Sequence, residues 1–199
     1  MAHSLKRIRT LALVGQAGSG KTSLAEALLA RAGAVPAAGS VERGTTVCDY
    51  TAQEKQLQHS LKLAVASFDY RETKIHLLDT PGYPDFLGHS LPALAAVETA
   101  GIVVNAQNGL EMMSGRFMQW AAQRGLDRLV IVNKIDADNV DLEGLLRMMQ
   151  SVGMYWMILD RRPANKMLLD DPIQHPVANI VGLVSQFHHG GFIHQIVPD

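Results

Sequence analysis

Gly15-Gln-Ala-Gly-Ser-Gly-Lys21-Thr22 is the stretch on which the fold turns. Its glycines allow a tight concave turn whose backbone N–H groups point inward, a ready cradle for phosphate oxygens. Thr10 to Val14, just before it, is apolar and reads as a short buried strand. Lys21 to Arg31, just after it, carries Leu24, Ala27 and Leu28 at three- and four-residue spacing and reads as a helix. Strand, glycine loop and helix together are the context in which such a loop binds phosphate, with the positive end of the helix dipole aimed at the anion. The bland alternative, a glycine-rich turn that binds nothing, does not account for the lysine and threonine at fixed positions. The Lys21 ammonium can reach the outer phosphates, and the Thr22 hydroxyl can ligate Mg²⁺. Gly15, Gln16, Ala17, Gly18, Ser19, Gly20, Lys21, Thr22 and Ser23 are therefore the candidate nucleotide-binding residues of the loop.

Two further tetrapeptides follow at strand ends. Lys74 to Leu78 reads as a strand, and Asp79-Thr-Pro-Gly82 closes it. A carboxylate there can hold Mg²⁺, and the Gly82 N–H can bond a γ-phosphate. Taken alone, it would read as an ordinary Asp-Pro-Gly turn. Arg128 to Val132 reads as another strand, followed by Asn133-Lys-Ile-Asp136. The Asp136 carboxylate can accept two hydrogen bonds from guanine N1 and N2; adenine lacks that donor pair. The Lys134 stem can cover the base face, and the Asn133 amide can tie the base region to the phosphate loop. The order of the three motifs, each at a strand's end, gives them their force.

Leu61 to Tyr70 alternates, which predicts a strand with Leu61, Leu63 and Val65 on one side. With Lys74 to Leu78 it forms an expected antiparallel hairpin through Arg71-Glu-Thr73. Helices are expected over Asp85 to Thr99 (with Pro92 as a kink), Met112 to Arg124 and Asn139 to Ser151, and a strand over Gly101 to Ala106. The alternation predicts an α/β P-loop NTPase fold: a mostly parallel, doubly wound sheet with one antiparallel hairpin strand. From Gly33 to Ser60 no period is visible, which predicts a functional or mobile loop. It should supply a second hydroxyl to Mg²⁺, from Thr45, Thr46 or Ser60.

The three motifs together resemble a translational GTPase, of the elongation factor G family and its elongation factor G-like branch. The resemblance is carried by Val14-Gly-Gln-Ala-Gly-Ser-Gly-Lys-Thr-Ser-Leu-Ala-Glu-Ala-Leu-Leu29, Gly39-Ser-Val-Glu-Arg-Gly-Thr-Thr-Val-Cys-Asp-Tyr50 and Leu77-Leu-Asp-Thr-Pro-Gly-Tyr-Pro-Asp-Phe86. It implies binding of GTP/GDP and Mg²⁺, with hydrolysis used on the ribosome. Lys21, Gly82 and Tyr83 are then the implied catalytic residues, and Thr22, Ser60 and Asp79 the metal ligands. Asp79, Gly82, Asn133, Lys134 and Asp136 join the loop residues in nucleotide binding. Three departures stand out. Tyr83 replaces the family's water-orienting histidine, and a phenol is a weak base. Leu57-Gln-His-Ser60 replaces Arg-Gly-Ile-Thr, which makes Ser60 the matching metal hydroxyl. Gly18 replaces an aspartate. Two rival readings remain: a nucleotide-sensing scaffold with little hydrolysis, motivated by Tyr83, and an ATP-binding protein, which Asp136 argues against.

With 199 residues, 47% hydrophobic and 19% charged, the chain can build one cored domain. A net charge of -1 argues against a bulk basic surface for DNA, and 6% aromatics against stacking platforms for single strands. One cysteine, Cys48, excludes a disulfide framework. No apolar run is long enough for a membrane helix, and the run after the basic start stops at Gly15. Together these features predict a soluble cytoplasmic protein without membrane or sequence-specific DNA partners. His188, His189 and His194 read as a solvated loop, Met148, Met149, Met154 and Met157 as packing, and Lys6, Arg7 and Arg9 as solvated charge leading into the first strand.

A complete GTPase core should add, after Asn133-Lys-Ile-Asp136, one more strand and a Ser-Ala-type loop at the guanine. No Ser-Ala dipeptide occurs. Tyr155 to Leu159 could serve as the strand, but Asp160-Arg-Arg162 is not its loop. The expectation is a core over residues 1–153 lacking its last strand and guanine loop. Residues 154–199 would open an inserted subdomain, hinted at by Val181-Gly-Leu-Val184 and Phe187-His188.

Overall fold

The computed structural model describes residues 7–70, 72–151 and 156–158. Six strands form one sheet: β1 (Ile8–Val14), β2 (Ala64–Tyr70), β3 (Thr73–Asp79), β4 (Thr99–Asn105), β5 (Asp127–Asn133) and β6 (Trp156–Ile158). Their order is β2-β3-β1-β4-β5-β6. All neighbours are parallel except the β2–β3 hairpin, in which Ala64 lies opposite Asp79 and Tyr70 opposite Thr73. The α/β class, the parallel sheet and the single antiparallel strand are as the alternation predicts.

Both faces of the sheet are covered, so its central strands are apolar throughout rather than alternating. Successive residues go to opposite layers. Leu11 and Leu13 of β1, with Leu129 and Ile131 of β5, pack under helix α1 (Lys21–Arg31), against Leu24, Leu28 and Leu29. Ala12, Val14, Val130 and Val132 face the other way. They meet Ala93 and Leu94 of α3 (Leu87–Ala95) and Met113 and Phe117 of α4 (Met112–Gln123). Helix α5 (Leu142–Ser151) adds Leu145 to that second layer.

Several boundaries differ from the sequence reading. The β2 pattern is shifted by one residue: Ala64 and Phe68 are buried, while Val65 is 66% exposed. A shift of one exchanges the faces of the whole strand. A short helix α2 (Ala52–Leu57) stands inside the segment expected to be irregular. It is held by a capping box: Thr51 Oγ1 accepts from Glu54 N–H, and Glu54 Oε2 accepts from Thr51 N–H. The helix expected to reach Thr99 is a 3₁₀ turn (Pro84–Phe86) followed by α3, which ends at Ala95, three residues past Pro92. Thr99 already belongs to β4, because Thr10 and Glu98 bind each other reciprocally: Thr10 N–H to Glu98 Oε1 at 3.0 Å, Glu98 N–H to Thr10 Oγ1 at 2.9 Å. Arg9, expected in solvent, is buried with its guanidinium 3.9 Å from Glu98. Trp156–Ile158 pairs with Val130–Val132 and extends the sheet beyond β5, where Tyr155 to Leu159 was an open alternative. The expected inserted subdomain, the three histidines and Met154 lie outside the described residues, as do the side chains of Met148, Met149 and Met157.

Candidate functional site: a phosphate loop and two carboxylate-pinned segments

The glycine loop leaves the end of β1 and closes on the first turn of α1. Gly15, Gly18 and Gly20 all have positive φ, at 140°, 75° and 93°. A Cβ on Gly15 would run into the Val103 carbonyl, and one on Gly20 into the Asn133 amide, so both positions require glycine. Lys21 Nζ reaches back across the loop and donates to Gly15 O at 3.1 Å and Gln16 O at 2.8 Å. Burial is the main influence on this ammonium; it lowers the pKa to about 8, against the pull of Asp79 in the other direction.

The other two motifs meet this loop. Gly82 stands so close that an added Cβ would lie 2.5 Å from Lys21 Nζ and 2.6 Å from Ala17 N. Asn133 Nδ2 donates to Ser19 O at 2.9 Å, tying the end of β5 to the loop. Thr80 Oγ1 donates to Leu13 O at 2.8 Å, fixing the Asp79-Thr-Pro-Gly82 motif beside β1. Past Asn133, Lys134 adopts the left-handed region at φ 60° and is exposed, as is Asp136.

A chain of oxygens crosses the front of the loop. Thr22 Oγ1 lies 3.0 Å from Ser60 Oγ, which donates to Asp49 Oδ1 at 2.7 Å; Asp49 Oδ2 accepts from Thr46 Oγ1 at 3.1 Å. Ser60 is thus the expected hydroxyl that reaches Thr22. Thr46 serves Asp49, and Thr45 Oγ1 accepts from Ser40 N–H. Asp79 is buried, and burial raises its carboxyl to about 7. A Thr22 hydrogen bond and Lys21 oppose the rise, while Asp49 and Glu26 add to it. Its Oδ1 has no hydrogen-bond partner in the protein, nor do the buried Gln16 Oε1 and Ser19 Oγ.

Three carboxylates missing from the sequence reading organise the segment between α1 and β2. Glu26, on the buried face of α1, accepts from Val47 N–H at 2.7 Å, Cys48 N–H at 3.0 Å and Gly39 N–H at 3.1 Å. Glu54 accepts from Leu61 and Lys62 N–H, both at 3.0 Å, and from Thr51 N–H and Oγ1. Burial pushes the Glu54 carboxyl up, but these bonds outweigh it and hold the group below the ordinary range. Asp49 sits between them. Thr51-x-x-Glu54 is a readable cap, and Glu26 is a charge on an apolar helix face. Asp49 carries no such mark.

Comparison with known proteins gives the family. The model of the elongation factor Tu GTP-binding domain matches residues 6–187. The chain belongs to this family. It is 43% identical to the elongation factor G-like protein of Mycobacterium tuberculosis, over 65% of this chain and 18% of that one. It is 36% identical to the mitochondrial ribosome-releasing factor 2 of Culex quinquefasciatus, over 71% of this chain and 19% of that one. A crystal structure from Thermus thermophilus superimposes with a TM-score of 0.70 at 42% identity, covering 74% of this chain and 22% of the other. The chain therefore spans about a fifth of the length of the curated relatives it matches. It carries a GTP-binding domain of the elongation factor Tu type and is similar to part of an elongation factor G-like protein.

Proposed function

We propose that this domain binds GTP and GDP with Mg²⁺ and hydrolyses GTP, as the switch of an elongation-factor-G-like protein whose partner is the ribosome. The observation that carries the reading is the convergence on one loop of Gly82, against Ala17 and Lys21, and of Asn133, bonded to Ser19. The residues present also fit a hard divalent cation. Asp79 Oδ1 is buried without a partner beside the hydroxyls of Thr22 and Ser60, an all-oxygen donor set of the kind Mg²⁺ takes together with phosphates. Mg²⁺, when bound, offsets charge on the phosphate oxygens.

The chain's own groups divide the remaining work. Backbone N–H groups from Gln16 to Ser23 cradle the phosphates, and Lys21 exchanges its two loop carbonyls for phosphate oxygens. The Gly82 N–H binds the γ-phosphate, and Tyr83 beside it faces the reacting end. Asp136 reads guanine, while Lys134 covers the base. The elongation-factor-G-like relatives favour a ribosomal setting in the cytoplasm, and no helix among the described residues is long and apolar enough to cross a membrane.

Titration with a fluorescent GDP, competed by GTP and ATP, tests the nucleotide. Competition by GTP but not ATP is expected, with binding lost on Lys21→Ala. Tight ATP binding that depends on Lys21 would overturn the guanine assignment. Phosphate release with and without ribosomes tests the turnover; bound GTP that is never cleaved would favour the sensing scaffold.

A further inference from the structure

One ring contact at the mouth of the phosphate loop has no part in that account. The rings of His59 and Tyr83 meet edge to face, with centroids 4.9 Å apart and planes at 61°. Each ring is next in sequence to a group already fixed at the site. Ser60 follows His59 and lies 3.0 Å from the Thr22 hydroxyl. Gly82 precedes Tyr83 and abuts Lys21 and Ala17. The two rings therefore stand side by side at the end of the loop where the outermost phosphate would lie.

The geometry also settles which nitrogen of His59 is free. Nδ1 lies 2.9 Å from Leu57 O. A carbonyl only accepts, so Nδ1 donates to it, which leaves Nε2 as the ring nitrogen open to a water. The chain reaches this point through Gln58, a non-glycine residue in the left-handed region at φ 57°, whose side chain is held by Glu42 O at 2.9 Å. Backbone strain of this kind persists where the surroundings impose it. Tyr83 offers a hydroxyl that donates or accepts, and a ring that braces the imidazole.

We propose that His59 is a catalytic residue of GTP hydrolysis: its Nε2 accepts a hydrogen bond from the attacking water, and Tyr83 is the positioning residue that sets the angle of its ring. The inference rests on the hydrolysis reading above. In the step itself, the water oxygen bonds to the γ-phosphorus while the bond from that phosphorus to the β–γ bridging oxygen breaks. The water's proton leaves with the released phosphate, GDP keeps the bridging oxygen, and His59 ends as it began.

The test compares His59→Ala, His59→Gln, Tyr83→Phe and Tyr83→Ala with the unaltered protein. Three quantities are read: GDP affinity, single-turnover phosphate release, and the extra GDP affinity gained with aluminium fluoride, which mimics the phosphoryl group under attack. His59→Ala should slow release by about tenfold or more and abolish the aluminium fluoride gain, with GDP affinity held within about twofold. His59→Gln, which keeps an acceptor, should recover part of both. Tyr83→Ala, which removes the bracing ring, should slow release alongside His59→Ala, and Tyr83→Phe, which keeps the ring, should slow it less. If His59→Ala releases phosphate at the unaltered rate and keeps the aluminium fluoride gain, the proposal is wrong and the hydrolysis reading stands. If the unaltered protein binds GTP yet never cleaves it, with or without ribosomes, both fall.

Discussion

Glu26→Ala is the substitution that most directly probes how the segment in front of the phosphate loop is held. It removes one buried carboxylate and three hydrogen bonds, from Val47, Cys48 and Gly39. Bonds to a charged acceptor contribute roughly 1.5–3 kcal/mol net each. Val47 and Gly39 lie closer to water and recover part of their loss; Cys48 N–H is buried and does not. The expected destabilisation is therefore about 3–5 kcal/mol, a large share of the roughly 5–15 kcal/mol typical of a domain. Glu26→Gln should cost less, about 1–2 kcal/mol, because its oxygen can still serve Val47 and Cys48 while its amide meets the Gly39 N–H as a second donor. Urea unfolding gives the midpoint. Cys48 supplies a local reporter: it is 4% exposed, and burial, with the carboxylates of Asp79, Glu26 and Asp49 nearby, keeps its thiol protonated. A disulfide reagent should label Cys48 slowly in the unaltered protein and much faster in Glu26→Ala before global unfolding begins. A midpoint shift worth under about 1 kcal/mol, with Cys48 still unreactive, would refute the pinning argument.

Gly82→Ala should weaken GTP binding by about tenfold or more and also lower stability by about 1–3 kcal/mol, since its Cβ must displace the Ala17 backbone as well as Lys21; calorimetry and urea unfolding read the two effects separately, and no change in either would contradict the close approach. Asn133→Ala strips the buried Ser19 carbonyl of its partner and should cost about 1–3 kcal/mol in stability, with GDP affinity falling alongside; unchanged affinity would sever the link between β5 and the loop. Glu54, whose folded pKa is depressed, contributes stability that is present above the ordinary carboxylate range and lost as pH falls through the lower folded value. The stability advantage of the unaltered protein over Glu54→Gln should therefore be largest near neutral pH and shrink as pH falls through that range; an advantage that stays constant with pH would contradict this.

The central strands were legible because a sheet covered on both faces needs unbroken apolar runs, and β1, β4 and β5 have them. β2 at the edge was misread in parity. Its alanines and serine weaken the contrast between faces, and its register is set by pairing with β3 rather than by its own pattern. The three motifs could be placed because each needs fixed residue types at a strand's end. What periodicity could not carry was the segment before β2. Its order comes from single buried carboxylates gripping backbone N–H groups, and a contact from Glu26 to Val47 leaves no repeat in the sequence. The neighbourhood of His59 and Tyr83 belongs to the same class, since two segments far apart in the chain create it.

The bond from Asn133 to Ser19 joins residues more than a hundred positions apart. A chain emerging from the tunnel during its own synthesis exposes Gly15 to Thr22 early, yet cannot brace that loop until β5 has followed. Contacts of such long sequence separation are made late. Nucleotide capture is then a property the growing polypeptide acquires in one step, after Asn133 has cleared the exit. Stalled chains of graded length, probed with fluorescent GDP, should show no binding up to that point and binding beyond it. Capture by chains that end before β5 would mean that the loop shapes itself.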